Sequence, residues 1–336
     1  MFLNIFIRII VKMNNILITG GAGFIGSHVL NYLFNKYPES NFYNLDAMYY
    51  CADKNRIDKQ IRESPRYHFV KGDLCQYDLI NHLFDTHNFE VVLHFAAQSH
   101  VDNSFSNPLQ YTHDNILGTH TLLEVARLHS SSLQKFIHVS TDEVYGESNN
   151  DCKTEQSILC PTNPYAATKA GAELIAQSYR HSYNMPIIIT RGNNVYGPHQ
   201  YPEKLIPKFI ELLESNKPVT IHGDGSSLRA FVHVYDVAKA FSLILEKGEV
   251  GEIYNVGTDE NHEYSVIDVA YRLIKLIKKP KDTDNDSPEI KKWITRVPDR
   301  PYNDSRYFIN SNKMNRLGWS PEINFDDGLK SLVQNR

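Results

Sequence analysis

Apolar residues along this chain fall into short runs that alternate with longer stretches of helical spacing. Ile16-Leu17-Ile18-Thr19, Phe42-Tyr43-Asn44-Leu45, His68-Phe69-Val70 and Val91-Val92-Leu93-His94-Phe95 read as buried strands. So do Phe136-Ile137-His138-Val139, Pro186 to Thr190, and Ile253-Tyr254-Asn255-Val256. Between them, Ile25, Val29 and Leu33 recur at helical spacing, and Leu117, Leu122, Leu123, Val125 and Ala126 predict one long helix from Pro108 to His129. The alanine-rich stretch from Tyr165 to Tyr183 and the segment Val237 to Leu245 are helical as well. Unbroken apolar strands alternating with helices predict an α/β fold whose sheet is covered on both faces.

Beyond Thr190 the pattern becomes turn-rich, with Arg and Lys scattered through it. The expected organisation is an appendage at 1–12, a first unit over 13–193 with a returning segment near 236–257, and a smaller second unit from 194–235 and 258–336. Lys275 to Lys292 reads as a charged loop. Its Asp-rich start lacks the Gly and the terminal Glu of a calcium loop.

Composition removes several classes. With 22% charged and 41% apolar residues the chain is an ordinary globular one, and a net charge of −4 gives no reason to expect nucleic acid. Residues 1–12 are apolar but short and broken by Arg8, with no cleavage site, so neither a signal peptide nor a membrane span is expected. Four cysteines form no CxxC pair, which points to a reducing, cytoplasmic setting. Fifteen histidines offer no HExxH or similar spacing, so no metal is expected.

The candidate chemistry sits at strand ends. Gly20, Gly23 and Gly26 lie where the first strand turns into a helix, and Gly21 also opens a G-x-G-x-x-G match. Glycines there let backbone N–H groups approach a pyrophosphate. Asp46 ends the second strand 20 residues beyond Gly26, where a dinucleotide fold places the acid that binds ribose hydroxyls. No basic residue follows it, which favours NAD over NADP. Asp73 ends the third strand within expected reach of the adenine. These spacings make the sheet a Rossmann-type doubly wound parallel one.

Tyr165 and Lys169 share a helix face, where the ammonium would lower the phenol toward a working base; as an exposed pair they would be unremarkable. Asp142 and Glu143 follow a buried strand. They are either a costly acid–base pair or a solvated strand-end loop, and the heptad Ser140–Gly146 alone does not decide.

Together, the glycine motif, Ser140-Thr141-Asp142-Glu143-Val144-Tyr145-Gly146, Tyr165-x-x-x-Lys169 and Asn193-Asn194-Val195-Tyr196-Gly197-Pro198 resemble the extended short-chain dehydrogenase/reductase family. Thr141-Asp142-Glu143, Ser99–Ser104, Pro202–Pro207 and Asp299–Tyr307 are similar to its nucleotide-sugar 4,6-dehydratases, which act on dTDP-glucose or UDP-glucose. Asp114 and Val195 depart from the usual pattern. The resemblance implies that Thr141, Asp142, Glu143, Tyr165 and Lys169 are catalytic. It implies NAD held by Gly20, Gly23, Phe24, Ile25, Gly26, Asp46, Asp73, Leu74, Ala96, Ala97, Ser99, Tyr165, Lys169 and Asn194. It implies a nucleoside-diphosphate glucose held by His100, Thr141, Asn194, Lys204, Leu205, Arg229, Arg300 and Arg306.

The implied reaction is C4 oxidation, loss of water across C5 and C6, and C6 reduction, an early step toward rhamnose-type deoxysugars, in a homodimer. For both carboxylates to reach one hexose, the chain must bend at Thr141 or Asp142. A sugar-nucleotide 4-epimerase, which needs no acid–base pair, and a non-catalytic dinucleotide sensor are the alternatives. Thymine and uracil differ by one methyl, worth roughly 1 kcal/mol of contact, so the base stays open.

Overall fold

The computed structural model describes residues 13–129, 131–148, 151–258, 262–299 and 302–334; the expected appendage at 1–12 and Arg300 lie outside them. In chain order the strands are β1 (Asn15–Thr19), β2 (Asn41–Asp46), β3 (Tyr67–Lys71), β4 (Val91–His94), β5 (Lys135–Thr141) and β6 (Ile187–Gly192). They continue with β7 (Asn194–Tyr196), β8 (Val219–His222), β9 (Leu228–His233), β10 (Ile253–Val256), β11 (Glu263–Ser265) and β12 (Ile294–Val297).

Seven strands form one sheet in the order β10-β6-β5-β4-β1-β2-β3, with every neighbouring pair parallel. The strand period of two sends Ile16 and Ile18 into one core with Val91, Leu93, Ile137 and Ile188. Leu17 enters the opposite core with Val92, Phe136 and Ile187. Both faces are therefore buried, which is why these strands read as unbroken apolar runs. The helices Phe24–Lys36 and Val234–Lys247 cover the first face through Val29, Leu33, Val237 and Phe241. The helices Tyr77–Thr86, Gly118–Leu128 and Pro164–Tyr183 cover the second through Ile80, Leu122 and Ala176. Each fully buried Leu, such as Leu30 or Leu33, contributes roughly 1.5–3 kcal/mol.

The chain leaves this sheet after Gly192, and one residue later Asn194 opens a second, three-stranded sheet ordered β11-β9-β7. A two-stranded ribbon, β12-β8, lies beside a third core that contains Phe209, Leu213, Ile221, Val269, Leu273 and Phe325. The two parts are interleaved. Val234–Lys247 and β10 return to the first sheet, and later Met314 and Trp319 enter its core too. Trp319 Nε1 donates to the Asp236 carbonyl at 2.9 Å.

Two segments differ from the sequence reading. The helix expected over 108–129 contains a π-helical segment at Thr112–Leu117, between Pro108–Tyr111 and Gly118–Leu128. The expected charged loop begins later, because the helix Val266–Lys278 is started by a Ser265–Asp268 capping box and runs on past Lys275. Pro288–Lys291 is a further helical turn. Among the described residues, no helix is long and apolar enough to cross a membrane.

Candidate active site

Strand order reverses between β1 and β4, and the crevice at the carboxyl ends of such a pair is where an open parallel sheet takes its ligand. Gly20 follows β1 with φ +71°, and a Cβ there would stand 2.6 Å from the Ala96 nitrogen beyond β4. A Cβ on Gly26 would stand 2.3 Å from the Gly20 carbonyl oxygen, so the helix Phe24–Lys36 packs against the turn as only glycine allows. That helix starts at Gly23 with no capping side chain and no acid in its first turn. Gly23, Phe24, Ile25 and Gly26 of this first turn line a cavity of about 260 Å³, a cradle suited to an anionic pyrophosphate.

Gly20, Gly23, Phe24, Ile25, Gly26, Ala97, Ser99, Tyr165, Lys169 and Asn194 line this cavity. Four expected cofactor residues stand behind or beside that lining. Asp46 is buried at the end of β2, where its carboxylate accepts from the amides of Ala22 at 2.9 Å and Met48 at 2.8 Å. Burial pushes its carboxyl up, and the two amides oppose that. Asp73 accepts from the Tyr49 hydroxyl at 3.1 Å and the Cys75 amide at 2.9 Å. Leu74 packs in the core, and Ala96 lies under the Gly20 turn.

On the far wall, β5 ends at Thr141 and the chain turns at once into a 3-10 helix, Asp142–Tyr145. The bend demanded by two adjacent carboxylates is present. Thr141 donates to Asp142 Oδ1 at 3.1 Å, and its hydroxyl accepts from the Glu143 amide at 3.4 Å. Asp142 is 2% exposed and is held by Asn193, whose Nδ2 donates to Oδ2 at 2.7 Å. Burial and the neighbouring Glu143 push the Asp142 carboxyl up to about 7. Glu143 accepts from Asn163 Nδ2 at 3.0 Å and from the Tyr307 hydroxyl at 3.4 Å. Burial raises its carboxyl too, and Asn163 holds the rise back.

Tyr165 and Lys169 stand on the inner face of Pro164–Tyr183, both almost fully buried. Lys169 Nζ donates to the Val139 carbonyl at 2.6 Å, and burial lowers its ammonium to about 8. The expectation that Lys169 draws the phenol down is not met. Burial, then Glu143, push Tyr165 up, while a hydrogen bond with Thr141 opposes them.

A second cavity of about 180 Å³ opens on the other side of Glu143, sharing Asn194, Glu203 and Lys204 with the first. His100, Leu205 and Arg229 line it. Lys204 Nζ donates to the Ser99 carbonyl at 2.7 Å, and Arg229 donates to the Leu228 carbonyl at 2.7 Å and to the Asp304 carbonyl at 2.9 Å. Arg306 corrects the sequence reading. Its guanidinium pairs with Glu263 and lies 4.2 Å from the Phe308 ring centroid, outside the lining of both cavities.

Three residues that hold the carboxyl pair were given no role in the sequence reading: Asn163, and Asn193 and Tyr307 within the quoted motifs. Asn163 carried a signal, since an Asn directly before Pro164 and a helix is a strong cap. Its Oδ1 accepts from the Ala166 amide at 2.8 Å.

Comparison with known proteins agrees with this geometry. The family model described as GDP-mannose 4,6 dehydratase matches residues 17–332. A trifunctional UDP-glucose 4,6-dehydratase/UDP-4-keto-6-deoxy-D-glucose 3,5-epimerase/UDP-4-keto-L-rhamnose-reductase of Arabidopsis thaliana is 50% identical over 325 residues, covering 96% of this chain. This chain spans about half of that relative, 47% of its length. The human dTDP-D-glucose 4,6-dehydratase is 46% identical over 319 residues, covering 95% of this chain and 89% of that one. The crystal structure of a dTDP-glucose 4,6-dehydratase from Streptomyces venezuelae with NAD and TYD bound superposes with a TM-score of 0.87 at 36% identity, covering 95% and 96% of the two chains.

Proposed function

The chain belongs to the GDP-mannose 4,6-dehydratase family of extended short-chain dehydrogenases/reductases, and on that premise we propose that it is a hydro-lyase acting on a nucleoside-diphosphate glucose. It converts dTDP-glucose or UDP-glucose to the 4-keto-6-deoxy sugar nucleotide, an early step toward rhamnose-type deoxysugars. The seven-stranded unit holds NAD and the remainder holds the sugar nucleotide. One observation carries the reading: Asp142 and Glu143 share a single 3-10 turn that lines the same cavity as Tyr165 and Lys169. An epimerase has no use for that pair, and a sensor has no use for any of the four.

NAD⁺, which the glycine turn with Tyr165, Lys169 and Asn194 would hold, would accept hydride from C4 and return it to C6, and its positive charge would favour the Tyr165 phenolate. Tyr165 takes the proton from O4, and Thr141 hydrogen-bonds that oxygen. A ketone at C4 acidifies the C5 proton, which Glu143 then removes as base. Asp142 gives its proton to the departing C6 hydroxyl. Its carboxyl at about 7 keeps a proton available near neutrality. Asn194, Lys204, Leu205, Arg229 and His100 face the nucleoside diphosphate in the second cavity.

We assign a homodimer and a cytoplasmic setting to the same reading. Leu109, Leu117 and Leu128 on one helical run, and Leu174 and Tyr183 on Pro164–Tyr183, are exposed apolar side chains that a second copy would cover. Cys51, Cys75 and Cys160 form no disulfide. Light scattering reads the first point directly. The activity is tested by incubating the protein with each sugar nucleotide and measuring product mass. Loss of one water supports the dehydratase, unchanged mass with a new epimer means an epimerase, and no turnover of either leaves the sensor.

A further inference from the structure

The turn that carries Asp142 and Glu143 is anchored by a buried network that also holds the helix of Tyr165 and Lys169. Tyr145, the last residue of the turn, is 3% exposed. Its hydroxyl donates to Asn255 Oδ1 on β10 at 2.8 Å and accepts from Arg191 Nη1 on β6 at 2.7 Å. The Arg191 guanidinium also stacks over the Tyr145 ring, 4.6 Å from its centroid. Its Nε/Nη2 edge is taken by Glu173, which is fully buried and accepts from Arg191 Nε at 3.1 Å as well as from Nη2. Glu173 lies one helical turn beyond Lys169 on the inner face of Pro164–Tyr183, and it raises the ammonium that burial lowers. None of Tyr145, Arg191, Glu173 or Asn255 lines either cavity.

An ion pair buried this deeply is a poor source of stability, because desolvating both charges offsets most of their attraction. Here it has a geometric result: a planar guanidinium with fixed donors ties the end of the acid–base turn to the oxidation helix. Asn255 extends the tie through carbonyls of the loop before that helix and of the C-terminal segment, donating to Lys153 O at 3.3 Å and Asn310 O at 3.1 Å. The turn is held from its outer side as well, where the Cys160 amide donates to the Val144 carbonyl at 2.9 Å.

We infer that Tyr145 is a positioning residue for elimination: through Arg191 and Glu173 its hydroxyl fixes where Glu143 and Asp142 stand relative to the sugar carbon that Tyr165 activates. The inference rests on the dehydratase reading. Oxidation at C4 uses the helix residues Tyr165 and Lys169 and, at the end of β5 before the turn, Thr141, whereas C5 deprotonation depends on a carboxylate of the turn itself within a fraction of an ångström of its place. Loss of the Tyr145 hydroxyl therefore separates the two steps.

The test uses the full chain with NAD and whichever sugar nucleotide the wild type dehydrates. In Tyr145→Phe, elimination falls about tenfold or more while oxidation stays near the wild-type rate, so the absorbance of reduced cofactor builds up on mixing and KM is unchanged. Elimination at the wild-type rate without that signal overturns the inference. An equal loss of oxidation and elimination, again without the signal, also overturns it, because that is what a merely structural role produces. If a thermal melt shows that Tyr145→Phe has lost its fold, Asn255→Ser removes the acceptor of the same hydroxyl and is read in the same way. A wild-type protein that releases no water from either sugar nucleotide overturns the dehydratase reading first and this inference with it, before any variant is made.

Discussion

Asp142 and Glu143 are neighbours in sequence with different partners in space, and the partners set their chemistry. Asn193 and Thr141 serve Asp142, whereas Asn163 and Tyr307 serve Glu143. With the Asp142 carboxyl at about 7, it is an acid that empties as pH rises, so dehydration should decline above about 7 in a pH–rate profile. Asn193 stabilises the carboxylate, so Asn193→Ala should move that decline to higher pH. The same shift bears on stability. A carboxyl raised on folding stabilises the fold while protonated in both states, below about 4, and that contribution is lost as pH rises through about 7. Asp142→Asn should therefore melt higher than wild type at a pH of about 8 and lose the advantage near pH 4. An equal melting difference at both values would remove Asp142 as its source. For Glu143→Gln, oxidation should continue while elimination stops, so reduced cofactor accumulates on mixing with substrate. Wild-type elimination in that variant would take the base role away from Glu143.

One amide does two jobs at the start of the helix Pro164–Tyr183. The oxygen of Asn163 caps the helix, and its nitrogen holds Glu143. Asn163→Ala should lower stability by about 1 kcal/mol in denaturant unfolding and impair elimination as well. Asn163→Asp keeps the cap acceptor but sets a second carboxylate against Glu143, so it should retain most of the stability and lose elimination. Equal elimination rates in wild type and Asn163→Asp would show that the nitrogen has no catalytic part. Elements of this kind explain how far the sequence could be read. The buried strands were legible because a strand covered on both faces must be apolar throughout, as β1 and β4 are. The π-helical segment at Thr112–Leu117 was not, since one widened turn barely alters a helical apolar pattern. Glycines, Asp142–Glu143 and Tyr165–Lys169 were legible because their spacing is local. Tyr307 against Glu143 and Arg306 against Glu263 were not, since those contacts join residues 164 and 43 positions apart.

At the scale of the molecule, the two cavities meet at Glu143 because the chain crosses from one sheet to the other at Asn193, next to the acid–base turn. The crossing makes the first unit depend on the second. A fragment ending at residue 193 lacks β10 and the helix Val234–Lys247, which leaves the apolar strand β6 as an open edge and uncovers Val29 and Leu33. Expressed alone, that fragment should collect in the insoluble fraction; a soluble monomer with a cooperative melt would contradict this. The interleaving also has a cost in time. A ribosome adding about 5–20 residues per second leaves β6 waiting roughly 3–12 s for β10 to be synthesised. Met314 and Trp319 arrive later still, so the first core cannot close strand by strand as it is made. The half of the protein that is written first is among the last to be finished, and its apolar strands wait uncovered for partners that are still to be synthesised.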